Sequence, residues 1–230
     1  MVAGLTATAA ARWERDRTLL AEVEPGLTLR IDSQSERARI EGQIRVARPS
    51  GRADAFDVVI KYSGLDPLEV PDCYDEVGRF SRIANRHVES DGRFCMWLPW
   101  LAPAREFRTA DGLAIYLARV QQFIDLQLQY EARERRGIEP FWPGPQWGHG
   151  DDGFREWFRE ETRTLSAVCL GNVLRDVNRN GKAGRRCPCG SGKRFSNCHK
   201  QFLRDLRVAW AVIPTARAIS YAELEARRAA

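Results

Sequence analysis

No apolar run in this sequence approaches the roughly 18 residues that a membrane-spanning helix requires. The longest candidate, Val208 to Ile213, is broken by Pro214. No membrane-embedded segment is therefore expected. The stretch Met1 to Ala11 has no basic flank and reaches Arg12 and Glu14 before a hydrophobic segment can form, so it does not read as a secretion signal and the expected location is the cytoplasm. Histidine is scarce, with only His87, His149 and His199. A phosphate-binding P-loop is also missing, because Cys187 and Arg194 stand where that motif needs Gly and Ser or Thr. No Cys, His and Asn/Asp arrangement declares a cysteine hydrolase.

What is present suits a folded chain. The 230 residues are 43% apolar and include 10 Phe, 7 Trp and 5 Tyr, enough to bury a core. Charge is unevenly spread: Gly171 to Trp210 carries ten Lys/Arg against two Asp/Glu, whereas the remainder carries 26 against 29. A mildly acidic body thus bears a basic C-terminal module suited to an anionic partner, with Arg179, Lys182, Arg185, Arg186, Lys193 and Arg194 as its face, unless those charges only solvate a linker. Of the six cysteines, Cys187, Cys189 and Cys198 cluster, while Cys73, Cys95 and Cys169 are dispersed. In a reducing compartment such clustering favours metal ligation over disulfides, and Cys73 and Cys169 read as structural.

Periodicity outlines the body. Arg12 to Glu24 places Trp13, Leu19, Leu20 and Val23 among charges and stops at Pro25-Gly26, as an amphipathic helix would. Leu27 to Ile31 is a short strand. Ala38, Ile40, Gly42, Ile44 and Val46 then alternate with polar residues, as do Phe56, Val58, Ile60 and Tyr62 after the Pro49-Ser50-Gly51 turn, so three strands should form an antiparallel meander. Gly64 to Asp75, with two prolines, reads as an irregular or edge segment before a structured stretch near Tyr74 to Ile83. Asp111 can cap a long helix to about Arg136 whose stripe is Leu113, Leu117, Val120, Ile124 and Leu128. Asp152 can cap another that sets Phe154, Trp157 and Phe158 against the body, and Asn178 to Arg186 reads as a linker. The expectation is an α+β fold, a meander sheet packed with helices, over 1–177, followed by a basic linker, a small zinc module and C-terminal helices over 178–230.

Cys187, Cys189, Cys198 and His199 have the spacing C-x-C-x8-C-H. Three thiolates and an imidazole around a Gly-Ser-Gly turn match a tetrahedral zinc ion, and four protein ligands leave no open position for catalysis, so the zinc should be structural. These residues resemble a SEC-C motif, a small zinc module that in relatives commonly serves protein or ribosome contact.

The segment from His87 to Ala104 resembles the active-site region of ubiquitin-conjugating (E2) enzymes, which show a His-Pro-Asn element, a Gly-x-x-Cys, a Trp near a Ser-Pro-Ala, and then a helix. The matching residues are His87, Gly92 with Cys95 and Met96, Trp100, Pro103 with Ala104, and the Asp111 helix. The resemblance spans about Arg12 to Gln129, and Trp147-Gly148-His149-Gly150 is similar to the tail of divergent bacterial E2-like proteins. It implies the E2 fold and a Cys95 that accepts a ubiquitin-like protein from an E1-like enzyme as a thioester, then passes it to a lysine of a protein substrate, in a bacterial conjugation pathway of the antiviral-defence type. A thiol can do this without a dedicated triad. Val88 and Glu89 stand where the family has Pro and Asn, so the usual oxyanion donor is replaced, with Asn85, His149 or backbone N–H groups as the alternatives. His87 is a candidate for holding the loop or moving a proton, and His149 for acid/base work. A different class of function, a noncatalytic E2-fold adaptor recruiting partners through its zinc module, would leave Cys95 merely packed.

Overall fold

The computed structural model describes residues 6–229 apart from 33, 49–50, 99–100, 102–103, 145–146 and 182. They divide into two compact units, one of residues up to Met96 with 102–145, the other of Trp97–Leu101 with 146–230.

In the first unit, β-branched and aromatic residues at alternate positions build β1 (Leu27–Asp32), β2 (Arg37–Ala47) and β3 (Ala53–Lys61), with a short edge strand β4 (Asp72–Tyr74), in the order β1-β2-β3-β4, all antiparallel. Ile40 pairs with both Leu29 and Ile60, and Ile44 with Phe56, so the predicted inward positions fall on one face. Ala38, Ile40, Ile44, Val46, Phe56, Val58, Ile60 and Tyr62 are all buried. Gly42 serves a different purpose from its neighbours: with φ +129°, a Cβ there would lie 2.2 Å from the Gly26 carbonyl oxygen, where β1 crosses.

Two helices close that core. In α1 (Ala7–Val23), capped by Thr6, Trp13 and Leu20 are buried, while Val23, expected on the apolar stripe, is exposed. Buried Arg12 pairs with Asp16 at 2.8 Å and donates to the Thr109 carbonyl at 2.6 Å, which ties α1 to the turn between α2 (Ala104–Phe107) and α3 (Gly112–Arg135). The α3 stripe of Leu113, Leu117, Val120, Ile124 and Leu128 is buried as its 3.6-residue period requires. Asp111 occupies the N-cap position, but its side chain makes no capping bond. Between β4 and α3 the expected structured stretch near Tyr74 to Ile83 is turns and irregular chain; a single 3-10 turn, Ala84–Arg86, follows it.

The second unit is helical: α4 (Gly150–Thr162), α5 (Ala167–Asn180), α6 (Phe195–Cys198), α7 (Lys200–Val212) and α8 (Ala216–Ala229). Phe154, Trp157 and Phe158, expected to pack on the meander body, instead meet this unit's own aromatics: Trp157 stacks on Phe202 at 5.5 Å and Phe158 lies 6.1 Å from the same ring. The division between compact units accordingly falls at 145/146. His149, not Asp152, holds the N-cap position of α4, and Asp152 binds Arg155 three residues on. α5 extends through Asn180 into the stretch read as a linker and ends on Gly181 in the left-handed conformation. Glu223 of α8 accepts a bidentate pair from Arg159 at 2.5 and 3.0 Å, and Arg155 approaches it at 3.2 Å.

Candidate active site and metal centre

The segment carrying Cys95 extends the sheet beyond β4. Phe94 donates its N–H to the Cys73 carbonyl at 2.8 Å, and Asp75 donates to the Gly92 carbonyl at 2.9 Å. The chain then doubles on itself: Glu89 donates to Arg93 at 2.8 Å, Gly92 to Glu89 at 2.9 Å, and Cys95 to the His87 carbonyl at 2.8 Å, with Val88 facing Phe94. Gly92 permits this hairpin, because its φ is +90° and a Cβ would meet the Asp75 carbonyl oxygen at 2.6 Å. His87 and Cys95 are therefore brought together through the backbone.

Side chains fix the hairpin from beneath. Phe94 stacks on Phe123 of α3 at 4.6 Å and lies 6.1 Å from Phe80; Phe123 continues to Trp142 at 5.4 Å, and the His87 ring lies 4.7 Å from Trp142. His87 is buried and adopts φ +53°, a left-handed conformation that a non-glycine residue takes only when its surroundings enforce it. The enforcing residue is its neighbour. Arg86, buried, donates to Gln127 Oε1 at 3.1 Å, Ser81 Oγ at 3.3 Å and Glu131 Oε1 at 2.9 Å, while Gln127 returns a bond to the Arg86 carbonyl and Arg79 forks onto Glu131 at 2.7 and 2.9 Å. Burial alone would raise the Glu131 carboxyl, yet the bonds and charges of Arg79 and Arg86 outweigh it and hold the group below its ordinary value. Nothing in the sequence signalled Arg86; one arginine among many carries no pattern.

Cys95 itself is half-buried. Burial, reinforced by the Glu89 carboxylate, pushes its thiol up, with Arg93 pulling the other way. It is thus less ionised at neutral pH than a free cysteine. Cys73 is fully buried on β4 and its thiol is pushed up by burial, as a packing residue requires, whereas Cys169, also read as structural, lies exposed on α5. Of the oxyanion donors considered, the backbone N–H groups of His87, Glu89, Gly92, Phe94 and Cys95 already have carbonyl partners, and Asn85 is exposed on the 3-10 turn. His149 belongs to the second unit, exposed at the start of α4. Trp100 and Pro103 lie outside the described residues, as does Lys182 of the basic face.

The metal centre forms where two strands of backbone meet. Cys187 donates its N–H to the Lys193 carbonyl at 2.7 Å and Phe195 donates to Arg185 at 2.9 Å, so the Gly190-Ser191-Gly192 turn returns the chain beside itself. The short helix α6 then delivers Cys198, and His199 follows with its ring stacked on buried Phe195 at 5.2 Å. Cys187 Sγ lies 3.1 Å from Cys189 Sγ and 3.0 Å from His199 Nδ1, and Cys189 Sγ lies 3.6 Å from Cys198 Sγ. All four donor atoms fall within 4.8 Å of one another. A tetrahedron with Zn–S bonds of about 2.3 Å has edges of about 3.8 Å; the donors sit close to that, slightly contracted, and include no carboxylate. The Ser191 hydroxyl and the Cys187 thiol hold Cys189 down to about 6, while burial pushes Cys187 up to about 12. Around the site Arg186, Lys193 and Arg194 are exposed, whereas Arg185 is engaged by Asp176.

A meander sheet closed by helices, with a cysteine-bearing hairpin on its β4 edge and a Cys3His metal-binding cluster in a separate helical unit, defines an α+β protein. Residues 30–143 match the family model of the prokaryotic E2 domain and residues 186–201 that of the SEC-C motif. The chain is thus similar to the prokaryotic E2 domain over residues 30–143 and carries a SEC-C motif at 186–201. No curated protein and no solved structure matches it. Among the described residues no helix is long and apolar enough to cross a membrane.

Proposed function

We propose that the chain is an E2-type acyltransferase whose nucleophile is Cys95. In the first step the Cys95 sulfur attacks the thioester joining a ubiquitin-like protein to an E1-like enzyme; the new C–S bond forms, the E1 thiolate leaves, and the Cys95 proton passes to solvent or to that thiolate. In the second, a lysine amine of the target attacks the same carbonyl, the C–N bond replaces the C–S bond, and Cys95 recovers a proton. His87 holds the hairpin, and His149 is one candidate to accept the ammonium proton. Zinc at Cys187, Cys189, Cys198 and His199 supplies no chemistry to either step; when bound it crosslinks the SEC-C module, whose exposed Arg186, Lys193 and Arg194 offer an anionic partner its docking face. The cytoplasm and a bacterial, defence-related conjugation pathway complete the reading.

The observation that carries it is the inclusion of Cys95, on a hairpin fixed by named bonds, within the residues matched to the prokaryotic E2 domain. One fact favours a noncatalytic adaptor instead: the thiol is pushed up rather than activated. Incubation with the E1-like enzyme, ATP and ubiquitin-like protein of the same operon separates the two. A transferase forms a reductant-cleavable adduct at Cys95, and an adaptor forms none.

A further inference from the structure

The residue at the family's Asn position is Glu89, and its chemistry is opposite. An amide there donates hydrogen bonds to an oxyanion; a carboxylate can only accept them, and from a cation best of all. The Glu89 carboxylate lies within 4.8 Å of Cys95 Sγ. The hairpin sets this distance, since the Glu89 N–H bonds to Arg93 and the Glu89 carbonyl accepts from Gly92. Glu89 is half-buried, so it presents a carboxylate beside the thiol without full solvent screening. Arg93, the cation on the same hairpin, is directed instead to Asp72 at 3.8 Å.

We propose that Glu89 is a catalytic residue of the discharge step, receiving the incoming lysine ammonium and taking its proton. This rests on the transferase reading. The ammonium donates to the Glu89 carboxylate and is thereby steered to the thioester carbon, a few ångströms away at Cys95. Glu89 takes one proton from the docked ammonium and passes it to solvent, which frees the nitrogen lone pair; the amine then attacks, the C–N bond forms as the C–S bond breaks, and the second nitrogen proton, now strongly acidic, passes to the departing Cys95 thiolate. Burial is the main reason the resting thiol is held up, and the same carboxylate adds to it, so the site favours a cation over an anion. Charging involves no ammonium at this position, so the two half-reactions should separate.

The test uses the full chain and Glu89→Gln, which keeps the shape and removes the charge. The variant should still charge at Cys95, no more slowly than the wild type. Its discharge to free lysine should slow about 100-fold, the lower end for general acid–base assistance. Discharge to hydroxylamine, a nucleophile already neutral at physiological pH, should stay within a factor of about three, because no ammonium needs binding or deprotonation. Glu89→Asp should fall between the two on lysine. Independently of any partner enzyme, alkylation of Cys95 followed by peptide mass spectrometry should show its ionisation midpoint moving to lower pH in Glu89→Gln, since a neighbouring negative charge has gone. Unchanged lysine discharge, or equal loss with both nucleophiles, overturns the role, as does a lysine-specific loss found in His149→Gln but absent from Glu89→Gln. A wild-type chain that never charges overturns the transferase reading itself, and an unmoved alkylation midpoint removes the Glu89–Cys95 coupling.

Discussion

Replacing Arg86 by methionine keeps the side chain's length and removes its charge and donors, and the structure fixes how the damage should rank. Three acceptors lose a bond: Gln127 Oε1, Ser81 Oγ and Glu131 Oε1. Gln127 is fully buried, so its orphaned carbonyl costs about 1–3 kcal/mol. Glu131 keeps its forked pair with Arg79, so it is not left as an uncompensated buried charge, the case that costs about 3–5 kcal/mol. The expected loss for Arg86→Met is about 3 kcal/mol. Arg79→Met should cost about 1 kcal/mol or less, since that arginine is 44% exposed and Arg86 still holds Glu131. Glu131→Ala should be the worst, because the buried Arg86 guanidinium is left with only the distant, more exposed Glu134 carboxylate at 3.9 Å. The assay is urea unfolding, with hydrogen exchange at the sheet amides used to report on the first unit alone. Equal costs for Arg79→Met and Arg86→Met, or a loss below about 1 kcal/mol for Arg86→Met, would refute the claim that Arg86 anchors the Cys95 hairpin to α3.

The remaining predictions follow from single features. Glu131 is depressed in the folded state, so its stabilisation is fully present above the unfolded carboxylate value and fades as pH falls through the lower, native one; acid titration of stability should be shallower in Glu131→Gln than in the wild type. Within the metal-free cluster at neutral pH, Cys189 should be alkylated before Cys187, given values of about 6 and about 12, and saturating zinc should protect Cys187, Cys189 and Cys198 together. Zinc should bind at one equivalent per chain, and less than half an equivalent in protein purified without chelator contradicts the assignment. Gly42→Ala should destabilise the first unit by about 2–4 kcal/mol or block its folding, because both its φ of +129° and the Gly26 carbonyl at 2.2 Å oppose a Cβ; thermal unfolding decides it.

The parts of this fold that sequence periodicity made legible are those in which one element has one apolar face and one neighbour. β2 and β3 alternate strictly because one face of the meander is solvated, and α3 shows an unbroken stripe because it lies on that sheet. Phe154, Trp157 and Phe158 were equally visible as an apolar face, but a face does not name its partner, and with two cores available the choice between them is made by tertiary packing. Only the start of the stretch read as a linker is helical, through Asn180, because polar residues can end a helix on Gly181; Arg186 then pairs with Arg194 through backbone bonds that need no apolar pattern. At the metal centre the ligand spacing alone located all four donors. At Cys95 the motif pointed to the segment of the proposed nucleophile, while the Arg86 anchor and the nearness of Glu89 to the thiol depend on contacts that no local pattern encodes.

The central claim is that Cys95 carries the acyl group, and trapping it is the most direct measurement. With the E1-like enzyme, ATP and ubiquitin-like protein of its own operon, wild-type protein should form an adduct lost on reduction, and Cys95→Ala should form none. Cys95→Ser should form an adduct that survives reductant, since an oxygen ester resists thiol exchange. Removing one half-buried sulfur should cost only about 1–3 kcal/mol, so circular dichroism can confirm that each variant is folded. Charging that persists in Cys95→Ala, or a folded wild-type chain that never charges, would contradict the account.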